Sequence, residues 1–61
     1  MKGLLITSCG DSMRWYADKV GEVVPLLGVE RTEYKSREDA GYINFVQVTD
    51  AEIVEIPPPE H

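Results

Sequence analysis

The chain contains few of the residues from which disulfides, metal sites and catalytic centres are built. Cys9 is the single cysteine, so neither an intrachain disulfide nor a multi-cysteine metal site can form. His61 is the single histidine, and it follows three prolines where no rigid element would orient it as a catalytic base. We therefore expect no metal or other cofactor.

Long apolar runs are also missing. The longest one near the amino terminus, within residues 3–7, is too short for a membrane span and too soon interrupted for a signal peptide. Together with the single cysteine, this argues against a membrane protein and predicts a reducing, cytoplasmic location.

Basic residues are absent beyond Arg37. Residues 1–37 hold six basic and five acidic side chains, whereas residues 38–61 hold six acidic and no basic ones, which gives a net charge of −5. A nucleic-acid-binding surface normally presents a basic stripe to the phosphates, and an anionic membrane attracts basic segments. The charge distribution therefore argues against both partners.

Sixty-one residues with 43% apolar content are enough for one small folded domain and no second core. A chain of this length buries only about 60% of the surface that it exposes when unfolded, so its stability is marginal. Each large apolar side chain therefore matters to the fold.

The sequence pattern predicts an all-β protein. A helix over residues 12–24 is the alternative for one segment, but Gly21, the β-branched valines and Pro25 disfavour it. Pro25 requires an edge or bulged position, and Gly41 is suited to a turn with positive φ. A long loop over residues 8–19 follows the first strand, and a short turn at residues 49–51 precedes the last. The five predicted strands cover residues 3–7, 22–27, 32–37, 42–48 and 52–56.

This element order is typical of a five-stranded SH3-like barrel. The segments WYADKVGEVV, GYINFV and DAEIV resemble small phage and prophage proteins of unknown function, whose sequences also read as this barrel. The resemblance covers about residues 13–54 and implies the barrel fold, which we expect over residues 1–56. Three consecutive prolines cannot pair in a sheet, so residues 57–61 are expected to form a disordered, extended Pro-rich tail. We further expect Phe45 and Val23 to lie in the core.

Three motifs suggest catalysis but lack what it needs. Gly10-Asp11-Ser12 after an apolar strand resembles the first block of GDSL-type esterases, but no Asp-x-x-His element follows it. Cys9 has no internal histidine to activate it, and the adjacent carboxylates Glu38 and Asp39 lack a ligand pattern around them. We therefore predict a protein that is not an enzyme.

Aromatic residues are the best candidates for a functional surface. Trp15 lies in the long loop, where a barrel of this type displays ligand-facing rings; the alternative is that it covers the open barrel end as a lid. Acidic groups nearby would suit a basic or proline-containing segment of a partner protein. The predicted partner-binding residues are Trp15, Tyr16, Asp18, Tyr42 and Asn44.

The sequence thus predicts a small protein-interaction module, such as a phage-encoded modulator of a host protein. Two alternatives stay open at this point. One is an oligomeric structural accessory protein whose aromatic face is buried between copies, and the other is a KOW-like barrel associated with nucleic acid or translation.

Overall fold

The computed structural model describes residues 1–57, and these form six strands in two antiparallel sheets. Two single 3-10 turns, Ala17–Lys19 and Val48–Asp50, are the helical elements of this part of the chain. The all-β prediction is confirmed, and no long helix covers residues 12–24. The strands are β1 (Lys2–Ile6), β2 (Val23–Pro25), β3 (Gly28–Val29), β4 (Glu33–Arg37), β5 (Ile43–Gln47) and β6 (Ala51–Glu55).

Each sheet has three strands. The first has the order β2-β1-β6 and the second the order β3-β4-β5, and the described strands form no closed barrel. The strand predicted over residues 22–27 is shorter in the structure, since Val23–Pro25 pair with β1, and the unpredicted strand β3 (Gly28–Val29) pairs with β4. Pro25 ends the edge strand β2, where its missing N–H removes no ladder bond from a central strand.

Two glycines adopt the positive φ that their turns require. Gly41 has φ of 97° in the connection between β4 and β5, where its N–H donates to the Glu38 carbonyl at 2.8 Å. Gly21 has φ of 89°, and its N–H donates to the Ile6 carbonyl at 2.8 Å. Residues with a Cβ adopt this conformation at a cost, so glycine fits both corners. The predicted role of Gly41 is confirmed.

The core lies between the sheets and the long loop. Its members are apolar and almost fully buried: Leu4, Ile6, Tyr16, Val24, Val46 and Ala51. Cross-strand pairing explains most of this set, since Leu4 is opposite Val24 on one side and Ile6 is opposite Ala51 on the other.

The prediction that Phe45 and Val23 lie in the core is wrong. The side chains are 40% and 49% exposed, and their neighbours Val46 and Val24 point inward instead. Successive side chains of a strand alternate between its two faces, so a one-residue error in phase exchanges the buried and exposed sets. Val23 packs on the outer face of its sheet over Gly3, where an added Cβ would lie 2.8 Å from Val23 Cγ1.

Ser36 is the buried polar residue of β4, and its hydroxyl has no hydrogen-bond partner among residues 1–57. A buried hydroxyl without a partner costs about 1–3 kcal/mol. Ser36→Ala is therefore expected to raise the melting temperature by roughly 5 °C, measured by circular dichroism. The exposed Ser12→Ala serves as the control and should change nothing. A clear fall in the melting temperature of Ser36→Ala would contradict this assignment.

The chain beyond β6 is described only as far as Pro57, which is exposed and outside any strand. The remainder of the predicted tail, residues 58–61, lies outside the described residues. In the described part, no helix has the length and apolar character that crossing a bilayer demands.

Candidate interaction surface

The long loop between β1 and β2, residues 7–22, is attached to the sheets by three side chains. The Trp15 indole Nε1 donates to the Phe45 carbonyl at 2.9 Å, and the Tyr16 hydroxyl donates to Asp50 Oδ2 at 2.5 Å. Lys19 Nζ forms an ion pair with Asp39 Oδ2 at 2.7 Å, which raises the pKa of the lysine. These contacts reach β5, the turn before β6 and the turn after β4, so they hold the loop at three separate places.

Tyr16 was predicted to belong to an exposed partner-binding surface, but the structure places it in the core. Its side chain is fully buried among the core residues, and its ring packs edge-to-face on Trp15 with the centroids 5.6 Å apart. Burial away from water, reinforced by the hydrogen bond to Asp50, raises the pKa of Tyr16 to about 12. The neutral hydroxyl is therefore a persistent link between the loop and Asp50.

Trp15 is half-buried and combines features of both predicted roles. One part of the ring packs against the core cluster, as a lid would, and its only polar atom is bound to the β5 backbone. The rest of the ring is accessible to solvent. A partner could therefore contact the ring by packing, since the indole N–H is already used within the chain.

Tyr42 directly precedes β5 and Asn44 lies within it, and the two side chains differ in their availability to a partner. Tyr42 is 71% exposed, whereas Asn44 is half-buried and uses both ends of its amide. Asn44 Nδ2 donates to Glu38 Oε2 at 2.7 Å, and Asn44 Oδ1 accepts from the Phe45 N–H at 2.8 Å. Asn44 is thus bound within the chain, while Tyr42 remains free to contact a partner.

The outer edge of β5 is covered by side chains. The Phe45 carbonyl accepts from Trp15, the Phe45 N–H donates to Asn44, and the Gln47 N–H approaches the Tyr16 hydroxyl at 3.4 Å. An uncovered strand edge would offer these groups to another strand. This arrangement was not predictable from the sequence, because each bond joins β5 to a residue whose position depends on the loop or on the local strand geometry. Side chains rather than backbone groups are therefore available to a partner at this edge.

Asp18 is exposed in the first 3-10 turn, and among residues 1–57 it forms no ion pair. Asp11, at the other end of the loop, accepts the Met13 N–H at 2.9 Å. That bond closes a local turn within the Gly10-Asp11-Ser12 motif, and Ser12 is exposed. Asp18 is therefore the acidic group of the loop that is best placed to meet a basic partner.

Asp50, which was not among the predicted site residues, links the loop to the turn before β6. Its half-buried side chain accepts from the Tyr16 hydroxyl and, through Oδ1, from Ser8 Oγ at 3.2 Å. Its carbonyl accepts the N–H groups of Thr7 and Ser8 at 2.8 and 3.3 Å. The short turn at residues 49–51 was predicted. The structure shows in addition that Asp50 in this turn is joined to the start of the loop at Thr7 and Ser8 and to its middle at Tyr16.

Neither a pocket nor a cluster of three or more metal-ligating side chains is found within residues 1–57. Comparison with protein-family models, with curated proteins and with solved structures finds no match to this chain.

Proposed function

We propose that this chain is a non-catalytic protein-interaction module with the architecture of an SH3-like barrel. Two features support the barrel arrangement. A long loop follows β1, and a 3-10 turn precedes the last strand. The predicted order of elements has these same two features.

The proposed binding site consists of Trp15, Asp18 and Tyr42, hereafter the loop–β5 surface. The observation that carries the proposal is that the loop holds the half-buried Trp15 ring against β5, while Tyr42, directly before β5, is 71% exposed. Trp15 meets β5 three residues from Tyr42, which corresponds to roughly 10 Å along a strand. Aromatic side chains that are held in place lose little entropy on binding, which favours their use in interfaces.

The chemistry of this surface suits a basic or proline-containing segment. Tyr42 and Trp15 offer ring faces to proline or to the aliphatic part of a basic side chain, and Asp18 offers a carboxylate that forms no ion pair in the described part of the chain. The resemblance to small phage proteins extends the proposal to a phage-encoded modulator that acts on a cytoplasmic host protein.

The test begins with recovery of proteins that bind the tagged chain in its native host, followed by affinity measurements with the purified partner. Tyr42→Ala and Asp18→Asn are expected to weaken binding by about tenfold each or more, as is usual for central interface residues. Trp15→Ala is less informative, because loss of its core packing would also destabilise the fold. Binding is measured by isothermal titration calorimetry.

Matched controls lie outside the proposed site. Glu52→Gln removes one exposed charge from β6, as Asp18→Asn does from the loop, and Val29→Ala shortens an exposed apolar side chain of β3. Both should bind like the parent. A partner whose affinity is unchanged by Tyr42→Ala and Asp18→Asn would contradict the proposed site, and enrichment of the chain alone would favour an oligomeric accessory protein.

A further inference from the structure

The outer face of the second sheet carries a small basic and apolar surface that the proposed function does not use. Lys35 is paired across the strands with Phe45, and Arg37 with Ile43. Directly opposed residues of an antiparallel pair point to the same face with their Cβ atoms about 5 Å apart. All four side chains are exposed, and we call them the basic outer face.

The cations of this face have no acidic ion-pair partner among residues 1–57. Among residues 1–57 the ion pairs involve the amino terminus, Lys2 and Lys19, so Lys35 and Arg37 take part in none. The nearest carboxylate on the same face of β4 is that of Glu33, which accepts from Gln47 Nε2 across the strands at 3.3 Å. The chain has a net charge of −5, so two cations without ion-pair partners, beside two exposed apolar side chains, form a locally positive site on an acidic protein.

The length of the basic outer face limits what can bind there. Lys35 and Arg37 are two residues apart, about 7 Å along the strand. Glu33 precedes them, and Glu38 and Asp39 follow directly in the turn. A nucleic-acid strand that passed over the cations would bring its next phosphates close to these carboxylates. A short ligand with two or three carboxylates would not meet this repulsion.

Apolar contact adds a second requirement. Phe45 and Ile43 lie beside the cations on β5, so a ligand that reaches the ammonium and guanidinium groups also covers an aromatic ring and an aliphatic side chain. Arginine can bind a carboxylate with two parallel hydrogen bonds, which fixes the position of the ligand. Aliphatic side chains of the ligand would then remove Phe45 and Ile43 from water.

We propose that the basic outer face is a second docking site, which binds a short acidic protein segment containing aliphatic side chains. It lies on the face of β5 that carries Ile43 and Phe45, and it shares no residue with the loop–β5 surface. The two surfaces have opposite charge preferences, so the chain can hold a basic and an acidic segment at once.

The test is a titration of the isotopically labelled full chain with the peptide Ac-Glu-Asp-Leu-Leu-NH2, followed by NMR. The largest amide shifts are expected at β4 and β5 around Lys35, Arg37, Ile43 and Phe45, and the affinity should fall as salt is added. The double variant K35Q/R37Q is expected to weaken binding by about tenfold. Phe45→Ser should weaken it to a similar extent without loss of the folded spectrum, because the ring is outside the core.

Controls separate this site from general charge effects and from the loop–β5 surface. Arg14→Gln removes a loop cation that is likewise without an ion-pair partner among residues 1–57 and should bind the peptide like the parent. Tyr42→Ala and Asp18→Asn should also bind it normally, so failure of the proposed function would not be confused with failure of this site. The peptide with Gln and Asn in place of Glu and Asp should not bind.

Three outcomes would overturn the proposal. The first is the absence of shifts at about 1 mM peptide, and the second is a set of shifts centred on Trp15 and Tyr42. The third is tighter binding of a short oligothymidylate than of the acidic peptide at about 150 mM salt, which would assign the face to single-stranded nucleic acid.

Discussion

Replacement of Tyr16 by alanine is expected to leave the chain unfolded at room temperature. Tyr16 is the largest fully buried side chain, and its hydroxyl holds the long loop to Asp50. Truncation of a buried aromatic residue costs about 3–5 kcal/mol, and the loss of the hydrogen bond adds about 1 kcal/mol. A domain of this length has roughly 3–9 kcal/mol of total stability. Far-ultraviolet circular dichroism and the dispersion of amide signals at 25 °C measure the outcome.

Phe45→Ala is the matched control for this prediction. Phe45 is also aromatic, but its ring is 40% exposed on the outer face of β5, so its truncation removes less buried area. We expect Phe45→Ala to retain a cooperative melt within roughly 10 °C of the parent. A folded Tyr16→Ala together with an unfolded Phe45→Ala would show that the core is centred on the outer face instead.

The existence of the strands was predictable, but which face of β5 points into the core was not. In the segment YINFVQV, one face carries Ile43 and Phe45 and the other carries Asn44 and Val46. Composition alone favours burial of the first pair, because it is the more apolar. The structure buries Val46 instead, and Asn44 is accommodated beside it because Glu38 and the Phe45 N–H satisfy its amide. Contacts with residues far away in the sequence, and not the local apolar pattern, therefore determine which face of β5 is buried.

The loop residues illustrate the same limit for the candidate site. Trp15 and Tyr16 are adjacent and chemically similar, and the sequence assigned both to a binding surface. The loop turns Tyr16 into the core and leaves Trp15 half-buried. The hydroxyl of the buried Tyr16 is bound by Asp50, which lies 34 residues further along the chain. In contrast, the conformations of Gly41 and the edge position of Pro25 follow from local backbone chemistry and were predictable.

Asp50 takes part both in strand pairing and in the attachment of the long loop. Its backbone carbonyl continues the pairing of β1 with β6 by accepting from Thr7 and Ser8, while its side chain accepts from Tyr16. The backbone bonds do not depend on the type of side chain at this position. A substitution at Asp50 can therefore test the attachment of the loop without directly removing a strand-pairing bond.

Asp50→Ala is expected to lower the melting temperature by roughly 10–20 °C. The buried Tyr16 hydroxyl loses its acceptor, and a hydrogen bond to a charged group contributes about 1.5–3 kcal/mol. A double-mutant cycle with Tyr16→Phe isolates this bond, because Tyr16→Phe should cost little once Asp50 has been replaced. Asp39→Ala, which removes the exposed ion pair of the loop with Lys19, is the control and should lower the melting temperature by at most about 5 °C. Thermal melts of the four proteins of the cycle measure the coupling. Additive losses for Asp50→Ala and Tyr16→Phe would show that the two side chains stabilise the fold independently, and the attachment of the loop through this bond would then be refuted.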